Sequence, residues 1–235
     1  MMKIRMRFSS LLLLCFLAMP LASLNAQSAD LQKVLSEMDG AAQKFRSATA
    51  DFSADQYTAV VQSHEMQKGT TAFRRNGNAV EMAVHIVSDN DQPSERQLLY
   101  KDGELDYYQA SIKQETIFSA GANRQQYESF LTLGFGGSGR DLTASWNVTL
   151  QGMEAIDGVQ TAKLDLVSKQ DSVRNNFSHI TVWIDPSRSI SLKQVFYAPS
   201  GDTRTVTYSN IRYNTSVSSS VFTLHAAPGT VKVRK

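Results

Sequence analysis

The sequence predicts a mainly β chain, a large antiparallel sheet accompanied by a few helices. Apolar residues recur with a period of two over much of the chain beyond residue 79. The runs are broken by turn signals: Asp102-Gly103, Asp157-Gly158, "DPSRS" and "PSGD". The connections between successive strands are short turns, so the strand–helix–strand units of a parallel sheet are missing.

The chain opens with Lys3, Arg5 and Arg7, followed by the apolar run "LLLLCFLAMPLA" and then "SLNAQSAD". A positive start, an apolar run and small residues read as a secretory signal peptide over residues 1–26, cleaved after Ala26. An uncleaved anchor is the other reading, although a comfortable span needs about 20 apolar residues. Cys15 sits inside the run behind Leu14, so it reads as part of the signal and not as a lipid attachment site. It is the chain's one cysteine, which leaves no disulfide or thiol chemistry in residues 27–235. The signal carries three of the 24 basic residues and none of the 22 acidic ones. The remaining chain is close to neutral, which gives no support for a nucleic-acid partner. Residues 27–235 form one domain in this reading, with no linker or repeat to divide them.

Residues 30–46 predict a helix. Leu31, Val34, Leu35, Met38, Ala42 and Phe45 fall on one stripe, and Asp30 is placed to cap it. The strands follow. Val80, Met82, Val84 and Ile86 alternate with smaller or polar residues; residues 96–100 lead into the Asp102-Gly103 turn and residues 104–109 return. Ile112 to Phe118, the alternation of Trp146, Val148 and Leu150, and that of Ile180, Val182 and Ile184 continue the meander. "NTSVSSSV" reads as a loop.

"LGFGGSGRDL" contains Gly134, Gly136 and Gly139 in the pattern G-x-G-x-x-G of a dinucleotide loop. That fingerprint needs a strand before it, a helix after it and a parallel sheet around it. The residues before it, "YESFLTL", look helical instead, and the reading that remains is a flexible glycine loop ending a short apolar helix. "HEMQK" fails the zinc-protease pattern because Lys68 stands where the second His belongs. His64, His85, His179 and His225 are scattered, and Ser138 lacks a nucleophile elbow. Asp102, Glu104 and Asp106 cluster at a turn, where solvated carboxylates are the simpler reading than a cation site. No catalytic residue, metal site or cofactor is expected. What stands out is apolar: two helical stripes and many large strand side chains. These suit either an ordinary core or a curved sheet whose concave face, lidded by helices, takes a hydrophobic ligand.

The order of segments resembles the periplasmic lipoprotein carrier family LolA. "FSADQYTAVVQ…KGTTAFRRNGNAVEMAV" is similar to its opening, and "RQLLYKDGELDYYQ" to a hairpin with an aromatic-rich return strand. "YESFLTLGFGGSGRDL" falls where the family has its mid-chain lid, and the tail "VFTLHAAPGTVKV" is similar to the family's closing segment, with Pro228 and Gly229 adjacent where the family's P-x-G-x-x-V has a residue between them. The resemblance implies an incomplete antiparallel β-barrel with a helical lid, and a non-catalytic monomeric carrier of acylated lipoproteins or other lipid cargo in the periplasm. It implies an inner-membrane lipoprotein-releasing transporter as loader and an outer-membrane acceptor as receiver. Exposing an acyl chain of about fifteen methylenes costs roughly 12 kcal/mol at ~0.8 kcal/mol per methylene, so such cargo needs a carrier. A sensor or assembly module on the same scaffold is the alternative. Val80, Met82, Val84, Ile86, Leu98, Tyr100, Tyr107, Trp183 and Phe196 are the expected cavity residues, with Leu35, Met38, Phe130 and Leu131 in the lid. The family's lid latch, a basic residue at the end of an early strand, falls on Arg75, with Arg74 second; Asn76 stands where the family often has proline.

Overall fold

The computed structural model describes residues 21–77, 79–121, 128 and 130–235, with side chains from residue 28 onward. Most of the signal-peptide segment, and Tyr127 of the mid-chain helical pattern, lie outside the described residues.

Helix α1 spans Leu21–Lys44. It runs straight through Ala26 and Asp30, so Asp30 sits inside the helix and does not cap it. The stretch after Pro20 holds only helix-tolerant residues until Gly40, and nothing there stops the helix earlier. Its end comes two residues sooner than the apolar stripe predicts. Asn214 accepts from the Arg46 amide at 2.7 Å and donates to the Lys44 carbonyl at 2.9 Å, satisfying groups that another turn would have used.

Strands β1 (Ser47–Thr58), β2 (Ser63–Asn76), β3 (Ala79–Asp89), β4 (Gln92–Lys101), β5 (Glu104–Gln109) and β6 (Gln114–Ser119) form a meander. Short helix α2 (Gly139–Ser145) precedes β7 (Trp146–Ile156) and β8 (Val159–Ser168). After α3 (Asp171–Arg174) come β9 (His179–Asp185), β10 (Ile190–Tyr197) and β11 (Thr203–Tyr213), and β12 (Val231–Arg234) ends the chain. Among the described residues, the twelve strands belong to one sheet, ordered β12-β6-β5-β4-β3-β2-β1-β11-β10-β9-β8-β7. The two meanders join where β1 pairs with β11. Pairing is antiparallel throughout except that β12 runs parallel to β6. The sheet has two free ends and does not close, so the expected mainly β, incomplete barrel is the observed architecture.

Beta-bulges bend this sheet. Register shifts fall at Thr49/Asp51, Lys68/Gly69, Ile86/Ser88, Leu150/Gly152 and Ser191/Lys193. Gly69 is required at its bulge, because a Cβ there would lie 2.1 Å from the His85 carbonyl oxygen. One face carries the main core. Val34, Leu35 and Met38 of α1 pack on Leu150, Leu164, Leu166, Ile180, Val182 and Ile184. The opposite, convex face holds a smaller cluster of Ala72, Leu99 and Phe222 under the C-terminal segment.

Candidate functional site on the concave face

The registers decide which side chains share the concave face. Val84 stands opposite Leu98, which stands opposite Tyr107, and Met82 stands opposite Tyr100. Directly paired residues point to the same side, and alternate residues along a strand do too. Val80, Met82, Val84, Ile86, Leu98, Tyr100 and Tyr107 therefore form one wall. Met82 and Tyr100 are buried with Phe45, Ala48, Phe73 and Ile190. Ile86 lies with Phe52, Ala54 and Val206, and Phe196 packs on the same cluster from β10.

Trp183 is the exception and corrects the sequence reading. Ile180, Val182 and Ile184 take the inward positions of β9, so Trp183 points out through the convex face. There its indole donates to Glu154 at 2.8 Å, between the ammonium groups of Lys163 and Lys193, 5.1 and 4.6 Å from the ring. Three apolar neighbours of alternate parity left no inward place for it.

The concave face is covered by the chain itself. Leu35 and Met38 are buried against β7 to β9, at the far side of the hollow from the β3–β5 wall. Glu128, Phe130 and Leu131 are helical. Phe130 stacks on Phe177 at 5.7 Å and meets Phe196 edge-on at 6.2 Å. Leu131 packs on the cluster around Met82 and Tyr100.

The glycine-rich loop supplies the residue that the sequence reading missed. Phe135 is 1% exposed, stacked on Phe73 at 3.9 Å and edge-on to Tyr208 at 5.0 Å. The loop is sewn to β10 and the turn before it. Ser191 N–H donates to the Gly134 carbonyl at 2.6 Å, Gly136 N–H to Ser189 at 2.9 Å, and the Gln194 amide to Leu133 at 2.7 Å. The flexible loop expected from the glycines is thus a buried, bonded one. Each glycine of the G-x-G-x-x-G pattern answers a contact. A Cβ at Gly134 would lie 2.5 Å from the Ser191 Cβ, at Gly136 2.4 Å from the Phe45 ring, and at Gly139 2.4 Å from the Leu35 carbonyl oxygen. Gly134 and Gly136 also adopt φ +76°. The pattern serves close packing of the loop and α1. Ser138 and Asp141 close a capping box at the start of α2, a signal readable in "SGRD".

Arg75 ties these pieces together. Its guanidinium donates to three carbonyls: Gly136 at 2.9 Å, and Ala42 and Phe45 at 3.3 Å each. It thereby holds the end of α1 and the loop to the end of β2. Burial, and then the Arg46 charge, lower its pKa, with Asp141 opposing. Arg74 points the other way, to the convex face. It bonds Glu81 at 2.5 Å and lies 4.2 Å over the Phe222 ring. Burial raises the Glu81 pKa, but the Arg74 and Asn76 hydrogen bonds outweigh it and leave the carboxyl below its ordinary value.

The space left under α1 and the loop is small. A pocket of about 200 Å³ lies among Met38, Arg75, Val80, Leu133, Leu142 and Ile184. Ligand pockets run to about 300–1,000 Å³, so this one is a remnant of the hollow. A larger groove of about 950 Å³ lies on the convex face, between Thr70, Ala72, His85 and Gln97 of the sheet and Leu224 and His225 of the C-terminal segment.

No known family model and no curated protein matches this sequence. Among solved structures, a conserved uncharacterised protein from Thermus thermophilus is similar over 89% of this chain and 100% of its own, with TM-score 0.55 and 12% identity. MucB is similar over 84% of this chain, TM-score 0.53 and 12% identity; the match spans 64% of MucB. A LolA superfamily protein from Nitrosomonas europaea matches over 83% and 97% of the two chains, with TM-score 0.41 and 16% identity. At these identities the likeness is one of fold. The chain shares its fold with the Thermus protein and MucB, an open, mainly antiparallel sheet, and here its concave face is covered by helix and loop.

Proposed function

We propose that this chain is a periplasmic, non-catalytic carrier of acylated cargo, held here in its closed state. The observation that supports it most is the filling of the concave face. Phe135, Leu131, Phe130 and the α1 stripe occupy an apolar wall that a lipid chain could cover instead. Such a lid keeps cargo binding modest, because every acyl chain that enters must displace side chains already buried there. Arg75 acts as the latch: its three bonds to carbonyls of α1 and the loop break when the lid lifts. The cargo is a lipoprotein or another lipidated molecule, received from an inner-membrane transporter and passed to an outer-membrane acceptor.

Extraction tests this. Incubated with inner-membrane vesicles bearing acylated lipoproteins and a releasing transporter, the protein should bring lipoprotein into the soluble fraction. Leu131→Asp should abolish that while the fold is kept. No extraction by the folded wild type would refute the carrier role.

An envelope sensor or assembly module on the same scaffold is favoured by one feature: a groove of about 950 Å³, larger than the pocket under the lid, lies on the convex face. Depletion that triggers an envelope stress response while lipoprotein sorting stays normal would select it.

A further inference from the structure

Beyond the apolar wall the concave face becomes charged. Arg204 on β11 pairs with Phe196, and Arg96 on β4 pairs with Ile86. Both partners belong to the inward set, so both guanidiniums stand on the concave side, one on each arm of the curved sheet. Between them lie β1, β2 and β3, whose inward residues Ala54 and Phe52 are apolar and whose Gln67 is neutral.

Neither arginine is fully used. Arg204 donates to the Gln67 amide oxygen at 2.9 Å, and among the described residues it forms no ion pair. Gln67 is itself buried and spends its amide nitrogen on Glu65 at 3.2 Å. Arg96 is ion-paired with Asp89 through one terminal nitrogen, but its Nε is buried with no partner. A half-buried guanidinium whose hydrogen bond goes to a neutral amide forgoes the charge-assisted bond that would offset its desolvation. Burial, and with it the nearby Arg96 charge, lowers the Arg204 pKa; Tyr208, Glu65 and Asp89 oppose. Glu65 and Asp89 bring the cluster close to neutrality, so what is vacant is a set of donors and not a surplus of charge.

We propose that Arg204 and Arg96 form an oxyanion subsite at the end of the apolar wall, which takes the carboxylate or phosphate head of an acyl-bearing ligand whose chain lies along Phe196, Ile86 and Leu98. The proposal rests on the concave face being the lipid site and adds the chemistry of the head. Two guanidiniums from opposite arms suit a group with two or three oxygens, since the planar donors of arginine match carboxylate and phosphate geometry. A neutral head would leave the donors unpaired and gain only the chain's burial.

Calorimetric titration of the full mature chain with laurate, dodecyl phosphate, dodecanol and inorganic phosphate tests it. At least one anionic amphiphile should bind about tenfold tighter than dodecanol, or ~1.4 kcal/mol, and the tighter of the two names the head as carboxylate or phosphate. Arg204→Gln should bring that ligand down to the dodecanol level while dodecanol is unaffected. Gln67→Glu, which sets a carboxylate against Arg204 without emptying the site, should do the same and covers the case in which Arg204→Gln fails to fold. Equal binding of dodecanol and both anions, or a preference that survives Gln67→Glu, overturns the subsite and leaves the apolar site intact. Inorganic phosphate binding as tightly as dodecyl phosphate also overturns it, in favour of a free-anion site. If none of the three chain-bearing ligands binds, the concave-face reading itself falls and the subsite with it.

Discussion

Phe135 lies face to face on Phe73, ring centroids 3.9 Å apart and planes within 8°, so a residue of the glycine-rich loop completes the core of the sheet. The contact joins residues 62 positions apart in sequence, and it closes the hollow from inside. Replacing Phe135 by alanine removes a fully buried ring, at a cost of about 3–5 kcal/mol. Thermal unfolding should show a fall in Tm on the order of 10 °C. The same variant should bind a long-chain acyl probe more tightly than wild type, because the competitor for the site is gone. A variant that loses stability and gains no binding would make Phe135 ordinary core.

The glycines of the loop make a sharper test of packing against nucleotide binding. Gly137→Ala should change stability by no more than about 0.5 kcal/mol, since a Cβ there meets nothing within 4 Å. Gly139→Ala meets the Leu35 backbone and should loosen α1 from α2; Gly136→Ala meets both the Phe45 ring and a positive φ. Both should lower the urea midpoint clearly. Calorimetry with NAD or ATP should show no heat of binding for any of them.

The two neighbouring arginines should separate cleanly. Arg75→Gln should speed hydrogen exchange near the end of α1 and raise acyl-probe binding, because its bonds hold that end and the loop. Arg74→Ala leaves the Glu81 carboxylate, 3% exposed, without its cation, a loss of about 3 kcal/mol, with no gain in probe binding. Glu81 is depressed in the folded state. Its contribution is present above the ordinary glutamate pKa and is lost as pH falls through the folded value. Arg74→Ala should therefore flatten the acid limb of the stability profile.

Asp106 behaves in the opposite sense. Burial, then Glu115 and Glu104, raise its pKa, and its Oδ1 is buried with no hydrogen-bond partner. A raised carboxyl favours the fold below its unfolded pKa, and that benefit disappears as pH rises through the folded value. Asp106→Asn should raise Tm at pH 7 and give no gain near pH 3. A gain of equal size at both pH values would mean that charge is not the cause.

The sequence made strands legible where large apolar residues alternate, as in Val80 to Ile86 on β3. It hid β1, because its inward positions Ala48, Ala50 and Ala54 are too small to mark a period, and β12, whose four residues are anchored by β6 more than by their own pattern. Helix α1 was readable from its stripe, but its course through residues 21–29 was not, since no local signal separates them from the stripe that follows. The alternation on β3 was visible, but which parity faces inward was not, and Trp183 was misplaced because size says nothing about which face a strand residue takes. Phe135 was hidden by its neighbours: glycines signal a loop, and only the fold shows that this loop turns inward. Arg75 was reached through family resemblance, and its three carbonyl partners come from segments that only the fold brings together.

Hydrogen exchange at the loop tests the closed-lid account most directly. The Gly136 amide, bonded to Ser189, and the Ser191 amide, bonded to Gly134, report whether the loop is seated. With a saturating acylated lipopeptide both should exchange at least tenfold faster, while the β8 and β9 amides keep their protection. Unchanged or slower exchange at Gly136 and Ser191 with the lipopeptide bound would mean that cargo does not displace the loop, and the account of the concave face as a lidded acyl site would be wrong.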